Sequence, residues 1–89
     1  MIASVFRVPA GSPAGDPSVV QQVLQMPGLL HLYVLTPSGP ADAAQERLSV
    51  LFWEKEEHLD AYIESDLGQQ ILAANPNATR TAYVVEQLL

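Results

Sequence analysis

The chain has no cysteine in its 89 residues. Disulfides and thiolate chemistry are therefore excluded, and the composition fits a reducing, cytoplasmic setting. Basic residues are scarce. Arg7, Arg47, Lys55 and Arg80 stand against ten acidic residues, for a formal net charge of −6. A surface that neutralises phosphates needs clustered Lys and Arg. These four are scattered along the sequence, so no nucleic-acid partner is expected. Long apolar runs are missing as well. Every run falls far short of the ~20 residues that cross a bilayer, so no membrane partner is expected either. The start, Met1-Ile2-Ala3-Ser4-Val5-Phe6-Arg7-Val8, has no charged segment followed by an apolar one, and no signal peptide is expected. Histidine occurs twice, as His31 and His58, far apart and without carboxylates at ligand spacing. No metal site is nominated. Gly11-Ser12-Pro13-Ala14-Gly15 lacks both the Lys-Ser/Thr of a P-loop and the spacing of a dinucleotide fingerprint.

What is present is apolar sequence, 48% of the chain, in short punctuated segments. Residues 2–8 are apolar and β-branched enough for a strand, ended by Pro9-Ala10-Gly11-Ser12-Pro13. Asp16-Pro17 has the form of a helix start, an acidic cap followed by proline at the first helical position. Val19, Val20, Val23 and Leu24 follow at helical spacing, and Pro27-Gly28 closes the helix. Residues 29–36 form a second strand, followed by a loop that begins at Pro37-Ser38-Gly39-Pro40 and continues to about residue 45. Residues 48–54 form a third. Lys55-Glu56-Glu57-His58 opens a second helix whose acidic residues suit the positive end of its dipole, with Leu59, Tyr62 and Ile63 as its buried stripe. Ser65-Asp66 caps a further segment in which Leu67 and Ile71 face inward. Asn75-Pro76-Asn77 is a stop, and residues 78–88 form the last strand. The order is β-α-β-β-α-β in one domain, residues 1–89. This is the split βαβ order of the α+β ferredoxin-like fold, an antiparallel four-stranded sheet with helices on one face.

Strand side chains alternate between faces. Ile2, Ser4, Phe6 and Val8 oppose Ala3, Val5 and Arg7. Val50 and Phe52 oppose Leu51 and Trp53, and Tyr83 and Val85 oppose Ala82 and Val84. Both faces of the sheet are thus largely apolar, whereas an antiparallel sheet with one wet face alternates apolar with polar. Two helices cover one face. A second copy of the sheet is the economical cover for the other, which predicts a homodimer packed sheet on sheet.

Two stretches carry a family likeness. One is Pro27-Gly28-Leu29-Leu30-His31-Leu32-Tyr33, a Pro-Gly turn into a strand. The other is Leu51-Phe52-Trp53-Glu54-Lys55-Glu56-Glu57-His58-Leu59-Asp60-Ala61-Tyr62, followed by Ser65 and a further helix. With the element order, they make the chain resemble the antibiotic biosynthesis monooxygenase family of dimeric α/β-barrel proteins across nearly its whole length. The resemblance implies a pocket between sheet and helices and a reaction that oxidises aromatic phenols to quinones with no metal or flavin. The family's first helix is usually longer; here a Pro/Gly-rich loop replaces part of it, so the roof of the pocket is expected to be shorter. The haem-degrading members carry an asparagine on the first strand, a tryptophan in the second helix and a histidine about three turns later. This chain has Ser4, Tyr62 and Leu72 there, so no axial ligand is available and no haem or other cofactor is expected.

Such chemistry needs an apolar cavity, a proton acceptor or hydrogen-bond donor for a phenolate, and aromatic walls. The candidates for catalysis are Trp53, Tyr62 and His31. Phe6, Leu30, Phe52 and Leu59 are the apolar groups expected against substrate, with Arg7 and Tyr83 as polar contacts; Tyr33 and Arg80 are further candidates. Each has a structural alternative. Trp53 and Tyr62 can be core residues, His31 a satisfied core or interface residue, His58 a surface residue, and Arg7 the partner of an acid such as Glu86. By parity Arg80 and Tyr83 face opposite ways. Fold does not fix function. The sequence therefore supports a small cofactor-independent monooxygenase acting on an aromatic or quinol-like metabolite. It leaves open a non-catalytic small-molecule-binding or dimerisation module, and a lyase or isomerase of the same architecture. If Phe6, Leu30, Phe52 and Leu59 fill the pocket, no enzyme reading survives.

Overall fold

A computed structural model describes residues 1–10, 16–38, 46–87 and 89. Its elements are β1 (Ile2–Val8), α1 (Pro17–Leu24), β2 (Leu29–Leu35), β3 (Arg47–Trp53), α2 (Glu56–Glu64), α3 (Asp66–Ala74) and β4 (Thr79–Val84). The expected order holds, with the second helical region broken in two. The last strand ends earlier than expected, at Val84. The Gly-rich segment at 11–15, the loop over 39–45 and position 88 lie outside the described residues.

The helix boundaries follow from local chemistry. Asp16 caps α1: its carboxylate accepts the Ser18 backbone N–H at 2.9 Å and the Ser18 hydroxyl at 2.8 Å, and Pro17 follows in the first turn. Gly28 has φ +81°, which a side chain would resist, and a Cβ there would strike the His58 ring. The Glu54 N–H donates to the Gly28 carbonyl at 2.8 Å and ties this turn to the end of β3. Ser65 is extended (φ −67°, ψ 158°), so it ends α2 and starts α3. Its hydroxyl donates to the Tyr62 carbonyl at 2.6 Å and accepts the Gly68 N–H at 3.1 Å. Gly68 is buried against that same carbonyl, too closely for any side chain.

The four strands form one antiparallel sheet in the order β2-β3-β1-β4. This is the ferredoxin-like α+β fold, and the helices occupy one face of the sheet. The register aligns Leu32, Leu51, Ser4 and Ala82 in one row and Val34, Ser49, Phe6 and Arg80 in the next, all on the helix side. The opposite face carries Ala3, Val5 and Arg7, with Val50 and Phe52 on β3 and Tyr83 on β4. A register shift between Leu29 and His31 puts an irregularity in β2. Strict alternation would place Leu29 beside His31, Tyr33 and Leu35. Instead Leu29 pairs with Trp53 and packs on the core, while the other three point away from the helices.

The core is Val23, Leu51, Trp53, Leu59 and Tyr62, with Ile2, Leu29, Leu67 and Ile71 packed against it. Trp53 is completely buried. Removing an indole of ~200 Å² from water contributes about 5 kcal/mol before entropy is counted. Its N–H would be orphaned there but donates to Ser4 Oγ at 3.3 Å.

Candidate active site

A cavity of about 580 Å³ lies between the inner face of the sheet and the helices, within the usual size range of small-molecule pockets. Phe6 and Val8 of β1, Leu51 of β3 and Leu32 and Val34 of β2 form its apolar floor. Val19, Val20 and Val23 of α1 and Ile71 of α3 form its roof. The eight-residue α1 is short, yet it presents three valines to the cavity. Of the four side chains expected to fill or spare the pocket, only Phe6 borders it; Leu30, Phe52 and Leu59 are not on its lining.

Polar groups enter at defined points. Tyr62 reaches the cavity from α2, its ring 5.1 Å from the Trp53 ring between centroids. The Arg80 guanidinium lies 5.3 Å from the Phe6 ring centroid and 5.7 Å from that of Tyr62, in range for a cation on aromatic faces. Burial pushes the Tyr62 hydroxyl above its ordinary pKa of about 10, and the Arg80 charge opposes that only in part. Tyr62 is thus a protonated donor at neutral pH. Ser4, Ser49, Arg47, Gln70, Asn75 and Asp16 complete the polar lining. The two hydrogen bonds from Ser18 hold the exposed Asp16 carboxyl below the usual range, which makes it a poor proton acceptor.

The expected site residues divide across the sheet. Tyr62 and Phe6 line the cavity. Trp53 and Leu59 lie behind the lining, in the core; Trp53 hydrogen-bonds Ser4 and packs on the Tyr62 ring, both of which line the cavity. His31 and Phe52 are on the other face, where their rings form a cluster with Tyr33 at centroid separations of 6.0–6.3 Å. Tyr83 is exposed on that face. Arg7 is there too, paired at 3.2 Å with Glu46, not Glu86. Leu30 sits exposed at the β2 irregularity. The expectation that His31, Arg7, Phe52 and Tyr83 share a pocket with Tyr62 is corrected by strand parity, because they point through the opposite side of the sheet. His58, expected at the surface, is instead partly buried over Gly28 with Nδ1 enclosed and unpaired among the described groups.

Arg47 and Ser49 were not anticipated. Counting back from Trp53 by twos gives Leu51, Ser49 and Arg47, so parity held the signal, but the strand was expected to start at residue 48. Among the described residues, no group of three or more His, Asp and Glu side chains is placed to hold a metal. No described helix is long and apolar enough to cross a membrane.

No protein-family model matches the sequence, and no curated protein does. Solved structures do match over nearly the whole chain. An antibiotic biosynthesis monooxygenase superposes with a TM-score of 0.70 at 10% identity, covering 98% of this chain and 100% of its own. SnoaB, a cofactor-independent oxygenase from Streptomyces nogalater, gives 0.67 at 12%, covering 99% and 95%. An ethyl tert-butyl ether D (EthD) family protein from Bacillus halodurans gives 0.60 at 12%, covering 96% and 99%. The class is thus defined by architecture: the chain has the fold of the antibiotic biosynthesis monooxygenases, and its cavity lies between that fold's sheet and helices. At these identities the likeness is one of fold, and different protein families share it.

Proposed function

We propose that the chain is a cofactor-independent monooxygenase that oxidises an aromatic, quinol-like metabolite with dioxygen in the cavity between sheet and helices. The observation that carries this reading is the pairing of a protonated Tyr62 with the Arg80 cation on the wall of an otherwise mainly apolar cavity. A phenolate bound there gives one electron to dioxygen. The resulting radicals combine at a ring carbon, and loss of water leaves the quinone. Phenol plus dioxygen thus gives quinone plus water. Tyr62 donates a hydrogen bond to the substrate oxygen, and Arg80 favours its anionic form. Trp53 packs on the Tyr62 ring and is itself held by its hydrogen bond to Ser4, so Trp53 is a positioning residue. Oxygen uptake with an anthrone, in chelator-treated and flavin-free buffer at mildly alkaline pH where part of it is ionised, tests the reading. The expected result is one dioxygen consumed per quinone formed, with kcat falling about 10²-fold in Tyr62→Phe. Anthrone binding with no uptake above the protein-free rate would refute it in favour of a non-catalytic binding module.

The same reading includes a twofold assembly. The outer sheet face carries the His31–Tyr33–Phe52 ring cluster and exposes Tyr33, Leu35 and Tyr83. A contiguous apolar patch of this kind is uncommon on a soluble monomer, and a second sheet packed face to face covers it. A dimer in sedimentation at micromolar concentration is the expected result; a stable lone subunit would oppose it.

A further inference from the structure

The charge of this chain is distributed against its own trend. Net charge is −6 and only four side chains are basic, yet Arg47 and Arg80 both line one cavity. The register explains how. Arg47 pairs with Val8 and Arg80 with Phe6. Both partners face inward, so the two cations flank β1 from β3 and from β4. Asp16, the one carboxylate on the lining among the described residues, is already committed to Ser18 at the start of α1. Arg80 rests on the faces of two rings. Among the described residues the ion pair is Arg7–Glu46, on the far side of the sheet. Arg47 has an interaction of its own in the chain, so Arg80 is the anchor. No histidine is on the lining, and Tyr62 retains its proton at neutral pH. A ligand therefore meets the Arg80 cation and a neutral donor, with no efficient proton acceptor among the described groups.

From this juxtaposition of Arg80 and Tyr62 on the cavity wall we infer that the cavity selects aromatic ligands that arrive already anionic, as carboxylates or as phenols ionised near neutral pH, with the negative oxygen at Arg80. The inference rests on reading the cavity as the substrate site, and it narrows the substrate to acidic aromatics. The protein does not have to remove the proton. Binding selects the anion, which is also the form that gives up an electron most readily.

Two pairs of measurements test it. Calorimetry compares 2-naphthoate with its neutral counterpart 2-naphthamide. Absorbance titration of 4-nitrophenol, with and without saturating protein, reads the phenol arm. The expected preference for naphthoate is at least about tenfold, the size of one charge-assisted hydrogen bond. The apparent pKa of 4-nitrophenol falls on binding if the anion is a phenolate and stays put if only carboxylates are accepted. Arg80→Gln removes the preference, Arg80→Lys keeps part of it, and Lys55→Gln, which changes net charge equally at a surface site, leaves it intact. Added salt weakens naphthoate and spares naphthamide, a readout that holds even if Arg80→Gln does not fold. Equal affinity for the two naphthalenes, or a preference that survives in folded Arg80→Gln, overturns the inference. An anion preference at Arg80 without oxygen uptake removes the oxygenase reading and keeps this one. Oxygen uptake on neutral phenols that is indifferent to Arg80→Gln does the reverse.

Discussion

Replacing Ser4 by alanine isolates the contact that couples the buried tryptophan to the cavity wall. Trp53 is fully enclosed, and its indole N–H has one partner, the Ser4 hydroxyl, at 3.3 Å. Losing that partner leaves a buried donor unsatisfied, which costs about 1–3 kcal/mol. The bond is longer than the usual 2.9–3.0 Å. The cost therefore belongs at the low end, about 1 kcal/mol. In a domain of this size that lowers Tm by roughly 4–8 °C. Trp53→Phe costs more, about 3 kcal/mol, because it also leaves unfilled volume. In that background Ser4→Ala should cost only about 0.3 kcal/mol or less, since no indole N–H remains to satisfy. The difference, about 0.7 kcal/mol or more, is the coupling energy. Urea unfolding followed by far-UV circular dichroism is the suitable assay, as Trp53 is the sole tryptophan and its fluorescence is lost with it. If Ser4→Ala costs the same in both backgrounds, the hydrogen bond contributes nothing and the link from Trp53 to the site fails.

Gly68→Ala should destabilise by about 2 kcal/mol, because its Cβ meets the Tyr62 carbonyl and α2 and α3 must separate; ligand affinity should fall with it, measurable by calorimetry at a temperature where the variant is folded. Tyr62 has a raised pKa in the folded chain, so its contribution to stability is intact below pH ~10 and is lost as pH rises through its folded-state value. Denaturant midpoints at rising alkaline pH should decline less steeply in Tyr62→Phe than in the parent chain. Tyr33→Glu places a charge in the outer aromatic cluster and should shift sedimentation toward the monomer, with at least about a tenfold increase in the dimer dissociation constant.

The fold was legible because each element announces its ends. Asp16-Pro17 marks the start of α1, Pro27-Gly28 its exit, and Ser65 the break between α2 and α3. Alternation in β1, β3 and β4 then sorted side chains correctly between faces. It did not say which of the two faces holds the cavity. Phe52 and Trp53 are neighbours in sequence, both aromatic, and on opposite sides of the sheet, so candidate lists drawn from residue type alone mixed two surfaces. His31 was legible as a strand residue and illegible as a site residue. Its position depends on the register shift after Leu29, a non-local feature that no composition signal marks. His58 shows the same limit. Its charged neighbours suggest solvent, but the turn at Gly28 brings backbone over the ring. Arg80 could be placed on its strand but not over Phe6 and Tyr62, because that stacking depends on how α2 lies across the sheet.

The central claim is that ligand chemistry belongs to the helix side of this sheet and assembly to the other. Amide chemical-shift mapping during titration with an anthrone tests it most directly. Shifts are expected to concentrate at Ser4, Phe6, Leu51, Ile71 and Arg80. Shifts concentrated at His31, Tyr33, Phe52 and Tyr83 would contradict it and move the binding site to the outer face.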